Sequence, residues 1–150
     1  MILFNSSARH LADIACDQYS AIDPGNKESY ITYSDAAKNA AFADAKGYFY
    51  YSASDYYWAS YNQIDVAKNI IDTNIKTLII NSRSDKQAFD EDIDMWYALV
   101  DGEDNISISI FDDISHFGYR IDTTDTSTLY KRIDFPSDII LVFSEFISQE

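Results

Sequence analysis

Two histidines, His10 and His116, are the side chains of this 150-residue chain best suited to acid–base chemistry near neutral pH. His116 follows Asp112 and Asp113 in the stretch FDDISHF. A loop that folded back would bring the imidazole to these carboxylates, as a metal site or an acid–base pair requires. A loop histidine beside acids is more often simply solvated. We therefore treat catalysis at His116 as one alternative among several.

The pair His10 and Cys16 favours a structural interpretation. The two residues are six positions apart, which is about 120° around a helix, so they do not face each other as a catalytic dyad. Neither histidine has a metal-ligand partner at a standard spacing. We therefore expect Cys16 to be a small buried thiol.

The triplet Asp90-x-Asp92-x-Asp94 begins like a calcium-binding loop, but Met95 stands where that loop requires glycine. The same residues fit an acidic helix face, which we favour. No glycine-rich phosphate loop, no G-x-S-x-G and no H-E-x-x-H occurs in the sequence. The sequence thus predicts neither a metal nor a cofactor, and no catalytic residue stands out.

Acidic side chains dominate the charge of the protein, whose formal net charge is −14. Between Asp85 and Asp125 there are twelve carboxylates against two basic residues, Lys86 and Arg120. This charge argues against nucleic acid as a direct ligand and against anionic membranes, because both are bound through Lys and Arg. A basic protein is the partner that an acidic surface of this kind favours.

The composition predicts one compact domain over residues 1–150. Apolar residues make up 47% of the chain, while four glycines and two prolines leave little material for linkers. The single cysteine excludes an internal disulfide framework. With neither a signal peptide nor a membrane-spanning stretch in the sequence, we expect a cytoplasmic protein.

Hydrophobic periodicity predicts an α+β fold with about four to five helices and a small antiparallel sheet. The predicted sheet has two to three strands within about residues 106–135, including a hairpin of 106–110 with 117–121 and a third strand at 129–135. Helices are predicted over 7–19, 34–46, 55–80, from Ser84 to about Val100, and after Pro136. At the end of the third of these, Thr77 to Ile80 could equally form a strand. Short extended segments are expected at 30–33 and 48–51.

We expect a partner to bind the acids of the C-terminal half and the surplus tyrosines of the aromatic run at 48–61. Tyrosine anchors protein interfaces, and acids around it steer a basic partner towards it. Within the aromatic run, Tyr57 and Tyr61 lie on the apolar stripe of the predicted helix and are expected to pack. The predicted partner-binding residues are Asp90, Glu91, Asp94, Asp101, Glu103, Asp104, Asp112, Asp113, Tyr50, Tyr51 and Tyr56.

The function predicted from the sequence is that of an acidic inhibitor. An immunity or antitoxin protein that occludes the basic cleft of a nuclease toxin fits best. The first alternative is a nucleic-acid mimic, anti-restriction or anti-CRISPR, from a phage or mobile element. The others are a small enzyme with a carboxylate–histidine site and a structural subunit that uses its aromatic patch. The oligomeric state is left open.

Overall fold

The structure is a computed structural model that describes residues 1–121 and 135–148. The chain divides into two compact units. The helical unit is Ala8–Thr73, and the sheet unit is Met1–Ser7 together with Asn74–Glu150. The secondary structure is broadly α+β, and the expectation of one domain over residues 1–150 stays a prediction.

Helices and strands alternate along much of the described chain. In order they are β1 (Ile2–Phe4), α1 (Leu11–Ile22), α2 (Lys27–Lys38), β2 (Phe49–Tyr50), β3 (Ala53–Ser54), α3 (Asp55–Tyr61), α4 (Val66–Asp72), β4 (Thr77–Ser82), α5 (Asp90–Leu99), β5 (Ile106–Phe111) and α6 (Ser137–Ser148). A 3₁₀ turn at Pro24–Asn26 precedes α2. None of the helices in the described ranges combines the length and apolar character needed to cross a bilayer.

The sheet unit is built on a parallel sheet with the strand order β1-β4-β5. Ile2 pairs with Leu78 on one side of β4, and Thr77 pairs with Ile106 on the other. All six residues of β4 are buried. The β-branched run of β4 is typical of a central parallel strand, which is covered on both faces.

The described residues of 106–135 do not form the predicted antiparallel sheet, and the antiparallel strand pair in the described ranges is β2 with β3. The strand at 106–110 exists as β5, but it pairs in parallel with β4 instead of forming a hairpin with 117–121. Within the described part of 114–121, the ladder is reduced to one antiparallel bridge between Ile114 and Arg120. Alternating isoleucines indicate which face of a strand is buried, but they do not indicate which strand it pairs with. The ladder that β5 forms with β4 is six residue pairs long. Apart from Phe135, the predicted strand at 129–135 lies outside the described residues.

Helix α6 covers one face of the sheet, and the prediction of a C-terminal helix after Pro136 is confirmed. Its Ile139 is fully buried in a cluster with Leu78, Ile80 and Ile114. Partly buried aromatic and aliphatic side chains surround this cluster: Phe4, Phe111, Val142, Phe143 and Phe146. Burial of these apolar side chains, at about 1.5–3 kcal/mol for each one fully buried, stabilises the sheet unit.

The single long helix predicted over 55–80 is wrong, because α3, α4 and β4 take its place. The alternative of a strand from Thr77 to Ile80 is confirmed by β4. Asn62 ends α3 and donates to three backbone carbonyls, those of Ala37, Lys38 and Ala40. Asp65 then caps α4, because its side chain accepts from the backbone N–H of Lys68. These polar side chains break a helix that the apolar spacing alone would have continued.

The first two helices differ from the prediction in their bounds. Helix α1 begins at Leu11, with His10 as the N-cap, because Nδ1 of His10 accepts from the N–H of Ala12 at 3.1 Å. The segment 30–33, expected to be extended, belongs to α2, which starts directly after the 3₁₀ turn. Proline at the first position of that turn supports helical φ angles, which favours an earlier helix start.

The core of the helical unit forms around Trp58, with Ala12 and Ala37 buried beside it. The burial of Tyr51 and Tyr57 differs from the prediction, which placed Tyr57 in the core and Tyr51 on the surface. Tyr51 is half-buried and lies against the core, whereas Tyr57 is 47% exposed. Tyr51 turns inward because it occupies the tight turn between β2 and β3, with φ of +49°.

Candidate functional site

Polar residues follow each strand of the parallel sheet at its carboxyl end. Asn5 comes directly after β1, Asp85 comes three residues after β4, and His116 comes five residues after β5. Parallel strands end at one edge of their sheet, and ligands of α/β sheets bind outside that edge. Side chains that are distant in the sequence are thereby collected at one place.

Asp85 and His116 form a hydrogen-bonded pair at this edge. Nδ1 of His116 lies 2.8 Å from Oδ2 of Asp85. The Asp85 side chain has no exposed surface, while that of His116 is 33% exposed. A buried carboxylate that holds a partly exposed imidazole is the arrangement in which an acid orients a general base.

Asp85 is held in place by its own backbone segment. Its second carboxylate oxygen, Oδ1, accepts from the N–H of Gln87 at 2.7 Å, and its N–H donates to the carbonyl of Ser82 at 3.2 Å. These bonds keep residues 83–88 out of helical conformation. The predicted helix start at Ser84 is therefore wrong, and α5 begins at Asp90.

His116 sits in a tight turn that closes on itself. The N–H of Gly118 donates to the carbonyl of Ser115 at 2.9 Å, and the N–H of Ser115 donates to the carbonyl of Tyr119 at 2.8 Å. Gly118 has a φ of +81°, and a Cβ at this position would lie 2.7 Å from a ring atom of Phe135. Only glycine fits this turn without strain.

The turn is also tied to the two strands behind it. Oγ of Ser82, at the end of β4, accepts from the N–H of Ile114 at 3.2 Å. Nδ2 of Asn5 donates to the carbonyls of Ser115 and His116, at 2.9 and 2.8 Å. The backbone of His116 is thus fixed relative to the sheet that carries Asp85.

The bond to Asp85 selects one form of the imidazole. An ionised carboxylate only accepts, so the hydrogen of a neutral His116 ring lies on Nδ1 and the lone pair lies on Nε2. Among residues 1–121 and 135–148, no hydrogen bond to Nε2 is formed. Within that part of the chain, Nε2 is the ring nitrogen left to take a proton from another molecule or side chain.

The predicted cluster of Asp112, Asp113 and His116 is replaced by the Asp85 pair. Asp113 instead bonds to Arg120, and the Asp112 side chain is 89% exposed, 3.9 Å from Arg83. The sequence missed Asp85 because 31 residues separate it from His116. The available signal was an acid just after one buried strand and a histidine just after the next.

The predicted partner-binding acids occupy α5 and the turns around β5. Those whose residues are exposed are Asp90, Glu91, Asp94, Asp101, Asp104 and Asp112, and those half-buried are Glu103 and Asp113. Asp92, between the exposed acids of α5, is fully buried and accepts from the N–H of Phe89 at 2.6 Å and from the hydroxyl of Ser7. The exposed acids of α5 therefore form a short group, not a long row.

The predicted tyrosines belong to the helical unit and differ in exposure. Tyr56 is 50% exposed, and its hydroxyl donates to the carbonyl of Ala45 at 3.2 Å. Tyr50 and Tyr51 are half-buried, and the Tyr51 hydroxyl donates to the carbonyl of Tyr30. Burial raises the pKa of Tyr51. Tyr56 is thus the most accessible of the three, and a binding role for these tyrosines stays a prediction.

Known proteins provide no family for this arrangement. No group of three or more potential metal ligands is found within the described ranges. Comparison with family models, with curated proteins and with solved structures finds no match for the chain.

Proposed function

We propose that Asp85 and His116 are the acid and the general base of a hydrolytic site. The observation that carries the proposal is the 2.8 Å bond between a fully buried carboxylate and Nδ1 of a partly exposed imidazole. In acid–histidine sites of this type the acid fixes the tautomer and stabilises the imidazolium that forms during the reaction. Both tasks require the burial and the geometry that Asp85 has.

The position of the pair in the sheet supports the same proposal. Asp85 and His116 follow two neighbouring parallel strands, and the acid precedes the histidine in the chain. This is the order that the acid and the histidine take in α/β-hydrolase triads. The comparison concerns the chain order of two residues and is an analogy. The proposal rests on the Asp85–His116 geometry.

The proposed reaction is the hydrolysis of a carboxylic ester or a related acyl compound. Nε2 of His116 takes the proton of a hydroxyl, thiol or water nucleophile as this nucleophile attacks the carbonyl carbon. Asp85 stabilises the resulting imidazolium, which then gives the proton to the leaving oxygen as the carbonyl–oxygen bond breaks. With a water nucleophile this step releases the free acid directly. With a hydroxyl or thiol nucleophile the acyl group stays on that oxygen or sulfur, until a water that loses its proton to Nε2 attacks the acyl carbon, and the nucleophile leaves with the proton from the imidazolium.

The test is ester hydrolysis by the purified protein. With p-nitrophenyl acetate at pH 8, we expect nitrophenolate release above the buffer rate, and His116→Ala should lower kcat by about 10²–10⁴-fold. His10→Ala is the matched control, because His10 is the helix cap of α1. Release at the buffer rate, or equal rates for the protein and His116→Ala, would overturn the proposal. Labelling with a fluorophosphonate, followed by mass spectrometry, would identify a hydroxyl nucleophile.

We retain the acidic inhibitor as a second candidate function, in which an immunity or antitoxin protein occludes the cleft of a basic nuclease toxin. The observation that favours it is the exposure of Asp90, Glu91 and Asp94 on one helix. Within the described residues, Arg83 is the basic side chain that contacts this group, 3.1 Å from Asp90. Because the exposed acids Asp90, Glu91 and Asp94 span only about one turn of α5, the cleft-occluding protein is favoured over a mimic of the evenly charged nucleic-acid backbone.

The inhibitor proposal has its own test. A basic protein recovered by the immobilised chain should associate more slowly with the triple variant Asp90→Lys, Asp94→Lys and Asp101→Lys, and with a weaker dependence on salt. His116→Ala should leave this association unchanged. Association rates that are equal for the protein and the triple variant would count against this surface. The two candidate functions are thus separated by different substitutions.

A further inference from the structure

The side chain of Asn5 contacts the turn that carries His116, and this contact is not part of the pairing between β1 and β4. Its backbone N–H donates to the carbonyl of Ile80 at 2.7 Å, which continues the ladder between β1 and β4. Its side chain leaves the ladder, and Nδ2 donates to the carbonyls of Ser115 and His116. Asn5 is only 6% exposed, so water competes little for these two bonds.

The identity of this residue matches the geometry. Asn5 has a φ of +45°, a left-handed conformation that asparagine adopts more easily than most residues. Its amide nitrogen carries two hydrogens, one for each of the two consecutive carbonyls. An aspartate of the same shape has no hydrogen to donate when it is ionised, and an alanine has no polar group.

We propose that Asn5 is a positioning residue that holds His116 in line with Asp85. The inference rests on the proposed function of the Asp85–His116 pair. Among the described residues, Asn5 is the one whose side chain bonds to the backbone of His116 itself, whereas Ser82 holds Ile114, two residues earlier. Asn5 therefore sets the point from which the imidazole reaches the carboxylate, and a small shift there lengthens the bond between Nδ1 and Asp85.

The tautomer of His116 reports on this positioning without any enzymatic assay. A bonded carboxylate favours hydrogen on Nδ1, and loss of alignment favours Nε2–H. The chain has only two histidines, so ¹⁵N-labelled imidazoles give two sets of resonances. In Asn5→Ala and Asn5→Asp we expect the ratio of Nδ1–H to Nε2–H in His116 to fall about fivefold or more, the result of weakening one bond to a charged group. The His10 resonances should not change.

The helical unit offers a matched control. Asn62 also donates to backbone carbonyls, and its Oδ1 lies 2.8 Å from Nε2 of His10. Asn62→Ala should therefore shift the His10 resonances and leave those of His116 in place. A change of both histidines in either variant would indicate general loosening and would contradict a specific role for Asn5.

Two further measurements distinguish the positioning role of Asn5 from an effect on protein stability and from the proposed hydrolytic function. In the unmodified protein the Nδ2 hydrogens of Asn5 should exchange slowly with solvent, and fast exchange would overturn the inference even if both variants failed to fold. Ester hydrolysis should show a lower kcat with an unchanged KM in Asn5→Ala. A shifted tautomer in a protein that hydrolyses no ester would support the positioning role and reject the proposed function. His116-dependent hydrolysis with an unshifted tautomer in both variants would reject Asn5 alone.

Discussion

Oδ2 of Asp85 lies 2.8 Å from Nδ1 of His116, and the two residues lie in the connections that follow neighbouring parallel strands. Asp85 is fully buried at its side chain, and the ring of His116 is one-third exposed. The carboxylate thus meets the imidazole and the N–H of Gln87 away from solvent, while the ring of His116 keeps an exposed side for a reactant.

Replacement of Asp85 by asparagine tests the carboxylate with almost no change in shape. We expect hydrolysis to fall by about 10²–10⁴-fold, because an amide neither fixes the Nδ1–H tautomer nor stabilises an imidazolium. The rate with p-nitrophenyl acetate measures this, and circular dichroism checks that the fold is kept. Asp112→Asn, an exposed carboxylate near the same edge, should leave the rate unchanged. Equal rates in the two variants would remove Asp85 from the mechanism.

Asp92 is predicted to be a stability determinant and not a surface charge. Asp92→Ala leaves the N–H of Phe89 and the hydroxyl of Ser7 without their acceptor, which should lower the free energy of unfolding by about 2–4 kcal/mol. Asp94→Ala, two residues later and exposed, should change it by no more than about 0.5 kcal/mol. Urea unfolding measures both values. A small effect of Asp92→Ala would show that these bonds are replaced by water.

Gly118 and Gly47 form a matched pair with nearly the same backbone angle, at φ of +81° and +82°. An alanine at Gly118 would meet the ring of Phe135, whereas an alanine at Gly47 would meet nothing within 4 Å. Both variants share the strain of a positive φ, about 1 kcal/mol. We expect Gly118→Ala to lower the free energy of unfolding by about 1–3 kcal/mol more than Gly47→Ala. Equal losses would mean that the Phe135 ring moves aside freely.

The Asp55 carboxylate should give the protein an acid-sensitive component of stability. Burial alone would raise the pKa of Asp55, but hydrogen bonds from the backbone N–H groups of Lys46, Gly47, Tyr48 and Tyr56 outweigh it and lower the pKa. A lowered pKa in the folded state adds stability that is complete above the unfolded value, about 3.9, and is lost as the pH falls through the folded value.

The variant Asp55→Asn checks this sign. Its deficit in unfolding free energy relative to the unmodified protein should be full at pH 7 and should shrink as the pH drops below about 4. Urea unfolding at a series of pH values provides the measurement. Asp44→Asn, an exposed acid of the preceding loop, should show no such trend. A deficit that grows towards low pH would have the opposite sign and would refute the assignment.

Features that depend on neighbours a few residues apart can be predicted from the amino-acid sequence of this protein alone. Alternation predicts the strand at 106–110, and helical spacing predicts a helix that ends at about Val100 and a helix after Pro136, which β5, α5 and α6 confirm. The Ser54 side chain accepts from the N–H of Tyr57, a contact between residues three positions apart. Local hydrogen bonds and hydrophobic periodicity depend on residues within one short segment, and for this reason these predictions are confirmed.

Strand pairing and the contacts between distant polar groups are seen only in the folded chain. A strand's buried face does not specify a parallel or an antiparallel partner, so β5 was assigned the wrong neighbour. The parallel sheet then brought Asp85 to His116 and brought Asn5 to the same turn from 111 residues away. A local sequence pattern cannot predict contacts between residues so far apart in the chain, because these contacts arise from the order of strands in the sheet. The chemistry of this protein, as we propose it, is therefore a property of its parallel sheet.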